Sequence, residues 1–198
     1  MEEKDLYEKG EEKFGFFTSR GYSISRIVPT MRHFYRFVLN DLKKFEFETL
    51  IDIGSGDGYV LSRMASIDKG KTLVGLDPSP HMVYVSSRKW RNVSPGRLKF
   101  VAGSSREIPE TLKGDLIYTT LSFHHWKDRE KSVPYVMEHL NSGGVFNIYE
   151  VEYNGELSRR FVRSHTVKRE LFEKIGKELN VKYEIVEDNG FIRCSFKK

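Results

Sequence analysis

Two carboxylates, three alternating glycines and a histidine pair are the residues of this chain whose types and spacing can do chemistry. Asp52 sits in the apolar run Leu50-Ile51-Asp52-Ile53, and Gly54, Gly56 and Gly58 follow it, interleaved with Ser55 and Asp57. Glycines at alternate positions let a backbone turn through φ > 0 and approach a ligand with no Cβ in the way. Asp77 ends a second apolar run, Val74-Gly75-Leu76-Asp77, where a carboxylate can accept both hydroxyl hydrogens of a ribose. Pro78 suits the first turn of the next helix and fixes where Asp77 points. His124 and His125 follow a third apolar run. An imidazole titrates near neutral pH, so either one can take a proton from a phenolic or enolic group. Asp57 fits the cap of the helix that starts after the glycines.

Strands and helices must alternate to put these groups together. Apolar runs at 48–53, 72–77, 97–102, 114–120 and 144–151 predict strands, and helical periodicity covers 57–67, 79–92 and 128–141. This alternation is the pattern of a parallel sheet covered by helices on both faces. After a helix carrying Leu171, Phe172, Ile175 and Leu179, the runs 182–188 and 191–196 flank Asn189-Gly190. That dipeptide fits a type I′ hairpin, so the sheet should finish antiparallel, with five parallel strands before it. Residues 1–47 stand outside the alternation and are rich in Phe and Tyr, among them Phe14, Phe16, Phe17 and Tyr22. Ile27, Met31, Phe34, Val38 and Leu42 recur at helical spacing, which predicts an amphipathic helix docked on the sheet or over the ligand. The expected organisation is one structural domain with a helical cap or lid over 1–47 and a ligand-binding body over 48–198.

The glycine turn disfavours two cofactor classes. A Gly-x-Gly-x-x-Gly dinucleotide fingerprint starting at Gly54 requires glycine where Tyr59 stands, and a phosphate-binding loop requires Gly-Lys-Ser/Thr where Tyr59, Val60 and Leu61 follow Gly58. The remaining pattern, acidic-x-Gly-x-Gly-x-Gly, resembles the first motif of class I S-adenosylmethionine-dependent methyltransferases. Gly114 to Trp126, ending in His124-His125-Trp126, and Leu140 to Phe146, with its Gly143-Gly144 pair, are similar to the branch that includes ubiquinone and menaquinone biosynthesis enzymes. The motifs span 50–151 in the family's order. The resemblance implies an α/β Rossmann-like fold with a mostly parallel seven-stranded sheet and a C-terminal antiparallel hairpin. It also implies S-adenosylmethionine as cofactor and S-adenosylhomocysteine as product. Asp52, Gly54, Ser55, Gly56, Gly58, Asp77, Pro78 and Leu121 are then the expected cofactor residues, with Asp77 on the ribose. The family's usual acid after the third strand is missing, and Ser104 and Ser105 stand there instead. They are the expected partners of the adenine.

Composition narrows the function classes. The 198 residues carry a net charge of +5, with 38% hydrophobic and 13% aromatic residues, which suits one well-cored domain. No apolar run approaches the length of a membrane span and the N-terminus lacks a secretory pattern, so the chain reads as cytoplasmic. Cys194 is the single cysteine and glutamine is absent, while Lys, Arg and Glu are abundant. Disulfide and cysteine-metal scaffolds are thereby excluded, no metal is expected, and the balance of residue types hints at a thermophile. The expected activity is methyl transfer to a small aromatic or enolic molecule at oxygen or carbon, with His124 or His125 as base. Arg159, Arg160, Arg163, Lys168 and Arg169 face only Glu156 in their stretch, leaving an RNA or protein methyltransferase as an alternative. Base methylation through Asn/Asp-Pro-Pro-Tyr is excluded, because Ser122-Phe123-His124-His125 occupies that loop. A non-catalytic S-adenosylmethionine-sensing module and an unusual nucleotide oxidoreductase complete the alternatives.

Overall fold

Strand β1 (Thr49–Ile53) has four consecutive buried residues, as a central strand covered on both faces should. It lies between β2 (Thr72–Asp77) and β4 (Gly114–Thr120), parallel to both. The computed structural model of the protein describes residues 29–67, 70–153 and 166–198. With β3 (Leu98–Ala102), β5 (Leu140–Val151), β6 (Lys182–Asp188) and β7 (Phe191–Lys197), these strands form one seven-stranded sheet in the order β3-β2-β1-β4-β5-β7-β6. The Asn189-Gly190 turn takes φ +50 and +82, both positive as a type I′ turn demands. Five parallel strands do run through β1 to β5. The hairpin, however, enters the sheet by its second strand: β7 pairs antiparallel with β5, and β6 lies outside it. β6 therefore runs in the same sense as β1–β5, and β7 alone opposes the sheet.

Alternate residues of each strand feed two separate cores. Leu50, Leu73, Leu116 and Tyr149 face α1 (Pro29–Leu42) and α2 (Tyr59–Ile67), while Ile51, Val74, Ile117 and Ile148 face the helices α4 (Arg129–Glu138) and α5 (Arg169–Leu179). Helix α3 (Pro80–Lys89) covers β2 and β3; Ser79 caps its start and Pro80 begins it. The expected helix over 128–141 ends at Glu138, because Leu140 already pairs with Gly114. The register then shifts between Gly114 and Leu116, so β5 begins ahead of the Gly143-Gly144 pair rather than at it.

Helix α1 buries the predicted stripe Met31, Phe34, Val38 and Leu42. A polar anchor accompanies the stripe: Tyr149 Oη donates to Asp41 Oδ2 at 2.9 Å and Arg193 Nε lies 3.2 Å from the same oxygen. Asp41 and Arg193 are both buried, so removing either would strand a charge, a much larger cost than a surface pair carries. The aromatic residues Phe14, Phe16, Phe17 and Tyr22, and Ile27 of the stripe, lie outside the described residues. Among the described residues, no helix is long and apolar enough to cross a membrane.

Candidate active site

The sheet order reverses between β1 and β4, and a parallel α/β sheet opens a crevice at the carboxyl ends of the strands on either side of such a reversal. A cleft of about 870 Å³, counted with its open mouth, lies there, within the size range of small-molecule sites. Its floor is the glycine turn. Gly54 and Ser55 donate their N–H groups to Leu76 O at 2.8 and 2.9 Å, which stitches the turn to the end of β2. Gly54 takes φ +77, and a Cβ there would lie 2.8 Å from that of Ser122, so glycine is required twice over. Gly56 differs. Its φ is +53 and an added Cβ would meet only Met82 Cε at 3.6 Å, so it opens onto the cleft that it and Met82 line.

Asp77 holds this turn in shape. Its Oδ2 accepts from Gly56 N at 2.8 Å and its Oδ1 from Ser79 N at 2.9 Å, so a single carboxylate joins the turn after β1 to the start of α3. Asp77 also lines the cleft. Asp52 lies deeper, 2% exposed, with Oδ2 accepting from Tyr118 Oη at 2.9 Å. Among the described residues no donor reaches Asp52 Oδ1 or Ser55 Oγ, although both residues line the cleft. Burial pushes the Asp52 carboxyl up to about 8; the Tyr118 hydrogen bond opposes that rise and the nearby Asp77 charge adds to it. Tyr118 in turn is driven well above the usual phenol range by its own burial and by Asp52.

The opposite wall comes from the loop after β4. Leu121 takes φ +49, a strained value for a branched side chain at a cleft it lines. The 3₁₀ turn Phe123–His125 follows. Arg129 clasps it by donating to Phe123 O at 3.0 Å and, more closely, to His124 O. The two histidines part company here. His124 is buried, its Nδ1 lies 2.8 Å from Glu150 Oε2 and its N–H meets Glu150 Oε1 at 3.2 Å. Glu150 is wholly buried. His125 instead lines the cleft beside Trp126, with its ring centroid 4.0 Å from that of His124.

Of the residues expected at the site, Asp52, Gly54, Ser55, Gly56, Asp77, Pro78, Leu121 and His125 share this cleft. Gly58, Ser104, Ser105 and His124 do not line it. Gly58 packs against the ring of Phe100. Ser104 bridges to Glu107 and accepts from Arg106 N at 3.2 Å, and Ser105 is fully buried. Asp57 reaches Lys89 Nζ at 2.7 Å and also lines the cleft. Five aromatic or apolar walls were not anticipated: Tyr35 from α1, Tyr59 and Val60 at the start of α2, Met82 from α3, and Trp126. Tyr59 and Trp126 carried a signal, since one directly follows the glycines and the other ends the His-His-Trp triplet. The basic stretch divides. Arg159, Arg160 and Arg163 lie outside the described residues, whereas Arg169 is held by Glu173 at 2.9 Å and Glu187 at 2.8 Å, and Lys168 stands over Tyr153.

A seven-stranded sheet in the order β3-β2-β1-β4-β5-β7-β6, with β7 alone antiparallel and a glycine turn after β1, is the Rossmann-like fold of class I methyltransferases. Comparison with known proteins agrees: residues 51–146 match the family model of the methyltransferase domain. A carboxy-S-adenosyl-L-methionine synthase of Staphylococcus epidermidis is 26% identical over 82% of this chain and 70% of its own length. Among solved structures, a putative S-adenosyl-L-methionine-dependent methyltransferase of Methanococcus maripaludis superposes with TM-score 0.76 at 20% identity, over 95% of this chain and 96% of the other. The plantazolicin methyltransferase BpumL in complex with SAH gives TM-score 0.70 at 13% identity, over 91% of this chain and 89% of the other. The chain is an S-adenosylmethionine-dependent methyltransferase. The cleft fits that cofactor chemically: a cationic amino-acid end suits the buried oxygen of Asp52, and the space beyond Gly56 admits a ligand against backbone.

Proposed function

We propose that the enzyme methylates a small aromatic or enolic molecule at oxygen or carbon. The observation that carries this reading is the composition of the cleft wall, where His125 stands with Tyr35, Tyr59 and Trp126 and, among the described residues, no lysine or arginine contributes. Flat apolar walls hold a planar acceptor, and aromatic faces favour offset or edge-on packing against it.

S-adenosylmethionine, when bound, supplies a methyl group made electrophilic by the positive sulfur. On this reading Asp52 holds its ammonium group, Asp77 its ribose hydroxyls, and Gly54, Ser55 and Gly56 the chain between them. Pro78, Met82 and Leu121 close the apolar sides. The chain's remaining task is to align the acceptor, exclude water and remove a proton. His125 takes that proton from the acceptor hydroxyl or enol. His124 is a positioning residue, fixed by Glu150 and packed against the His125 ring. The segment 1–47 serves as a cap to the 48–198 body, with α1 supplying Tyr35.

His125→Ala is expected to lower kcat about a hundredfold, the range for a lost general base, while cofactor affinity holds. Glu150→Gln should instead lower thermal stability by about 2 kcal/mol, since it weakens charge-assisted bonds to a buried histidine. Calorimetric melting checks the second expectation. The class of acceptor is tested by transfer of a radiolabelled methyl group into fractionated cell extract. Label in the small-molecule fraction is the expected result. Label confined to RNA or protein would overturn the reading.

A further inference from the structure

A second cavity adjoins the outer side of the cleft, lined by Arg32, Tyr35, Arg36, Leu39 and Tyr59. Tyr35 and Tyr59 line the cleft too. Their rings meet edge to face with centroids 5.2 Å apart, so this pair forms the shared wall of two chambers. Arg32 and Arg36 stand four residues apart on α1, both exposed, and therefore on one face of the helix. From α2, the Arg63 guanidinium reaches over the Tyr59 ring, 5.5 Å from its centroid.

Three guanidinium groups thus gather around two phenol rings, and none of the three pairs with an acidic residue among those described. Among the described residues, Arg36 has one polar contact, His33 Nδ1 at 3.5 Å. Several other basic residues are paired with acids: Lys89 with Asp57, Arg169 with Glu173 and Glu187, and Arg193 with Asp41 and Glu184. The acid of α1, Asp41, is already taken by Lys44, Tyr149 and Arg193. Like charges one turn apart on a helix repel, and an anion lying between them would relieve that repulsion. A planar guanidinium fork is the side chain best suited to a carboxylate or phosphate. The described lining of the cleft contains no cation, so among the described residues an anionic substituent entering with an aromatic acceptor meets its nearest charge partners in this outer chamber.

We propose that Arg32 and Arg36 form an anion-binding subsite that anchors a carboxylate or phosphate carried by the methyl acceptor, with Arg63 contributing to the field around it. The aromatic part of the acceptor would then lie against the Tyr35–Tyr59 wall, between the anchor and His125. This proposal rests on the aromatic-acceptor reading above and adds the charge of the substrate to it.

The test uses the full chain saturated with S-adenosylhomocysteine and three probes, phenol, 4-hydroxybenzoate and phenyl phosphate, titrated by calorimetry or by ligand-observed NMR. Both anionic probes are expected to bind at least tenfold more tightly than phenol, to weaken as salt is raised, and to lose that advantage in the Arg32→Glu/Arg36→Glu double variant, whose exposed positions tolerate the change. Arg32→Gln/Arg36→Gln should give an intermediate loss if charge is the cause. Phenol binding equal to that of the anions, or anion binding that survives both double variants, would overturn the subsite and leave the aromatic acceptor standing. Binding of none of the three probes, with the S-adenosylhomocysteine complex intact, would overturn the aromatic acceptor itself and the anchor with it.

Discussion

Asp52→Asn protein should melt at a higher temperature than the wild type at pH 9 and bind S-adenosylmethionine about a thousandfold more weakly, the scale of loss when one partner of a buried ion pair is removed. Both effects have one cause. The Asp52 carboxyl is buried with a single hydrogen bond, from Tyr118, and its pKa is pushed up to about 8. In the unfolded chain it returns to the model-peptide range near 4. A group whose pKa rises on folding contributes stability that is fully present below the unfolded value. That contribution is lost as pH climbs toward the folded value. The ligand-free wild type should therefore lose stability between about pH 4 and pH 8 on this account and level off above. The asparagine, which still accepts from Tyr118, escapes the loss, and the gain is expected to be on the order of 2 to 5 kcal/mol above pH 8.

Cofactor binding has the opposite slope. A cationic group beside Asp52 Oδ1 demands the ionised carboxylate, so binding releases a proton wherever the free protein holds one. Affinity should rise by up to tenfold per pH unit between about pH 6 and 7.5, and the binding enthalpy should vary with the ionisation heat of the buffer. Both signatures should vanish in Asp52→Asn. A wild-type affinity flat over that interval would remove Asp52 from the ammonium and leave its burial unexplained.

The strand order and the fate of each histidine show where sequence reasoning stops. Local rules suffice for β1 through β4, because each strand is a short apolar run bounded by a turn, and for Asn189-Gly190, because two successive positive φ values leave few residue types to choose from. The position of β6 outside β7 is not local. It is set by the pairing of β7 with β5, and within the run 182–188 only the charged residues Lys182, Glu184, Glu187 and Asp188 hint at an edge. The histidines are harder still. His124 and His125 are chemically identical neighbours, and they separate only because Glu150, on a different strand, claims one of them. Ser104 and Ser105 failed to reach the cleft for a similar reason, since a bridge to Glu107 turns their loop back on itself. The chemistry of Asp52 was legible as a position but not as a state, because its elevated pKa is a property of burial that only the packed sheet creates.

Substituting Asp77 should show whether one carboxylate both builds the turn and holds the ribose. In Asp77→Ala, the N–H groups of Gly56 and Ser79 lose their acceptor, and one buried and one part-buried unsatisfied donor are expected to cost about 2 kcal/mol of stability. Affinity for S-adenosylmethionine should fall about a thousandfold as two charge-assisted bonds to hydroxyls are lost with it. That variant alone mixes a collapsed turn with a missing contact. Asp77→Asn separates them, because the amide oxygen can still accept from one N–H while the charge is gone. It should melt within about 1 kcal/mol of the wild type and yet bind tens of times more weakly. A probe with ribose hydroxyls but no amino-acid end, 5′-methylthioadenosine, sharpens the assignment. Its affinity should drop in Asp77→Asn and hold in Asp52→Asn, the outcome that the proposed pairing of Asp77 with the sugar requires. Equal affinity of both variants for this probe would mean that Asp77 serves the turn alone, and the ribose would then have to be held by backbone groups around Gly56.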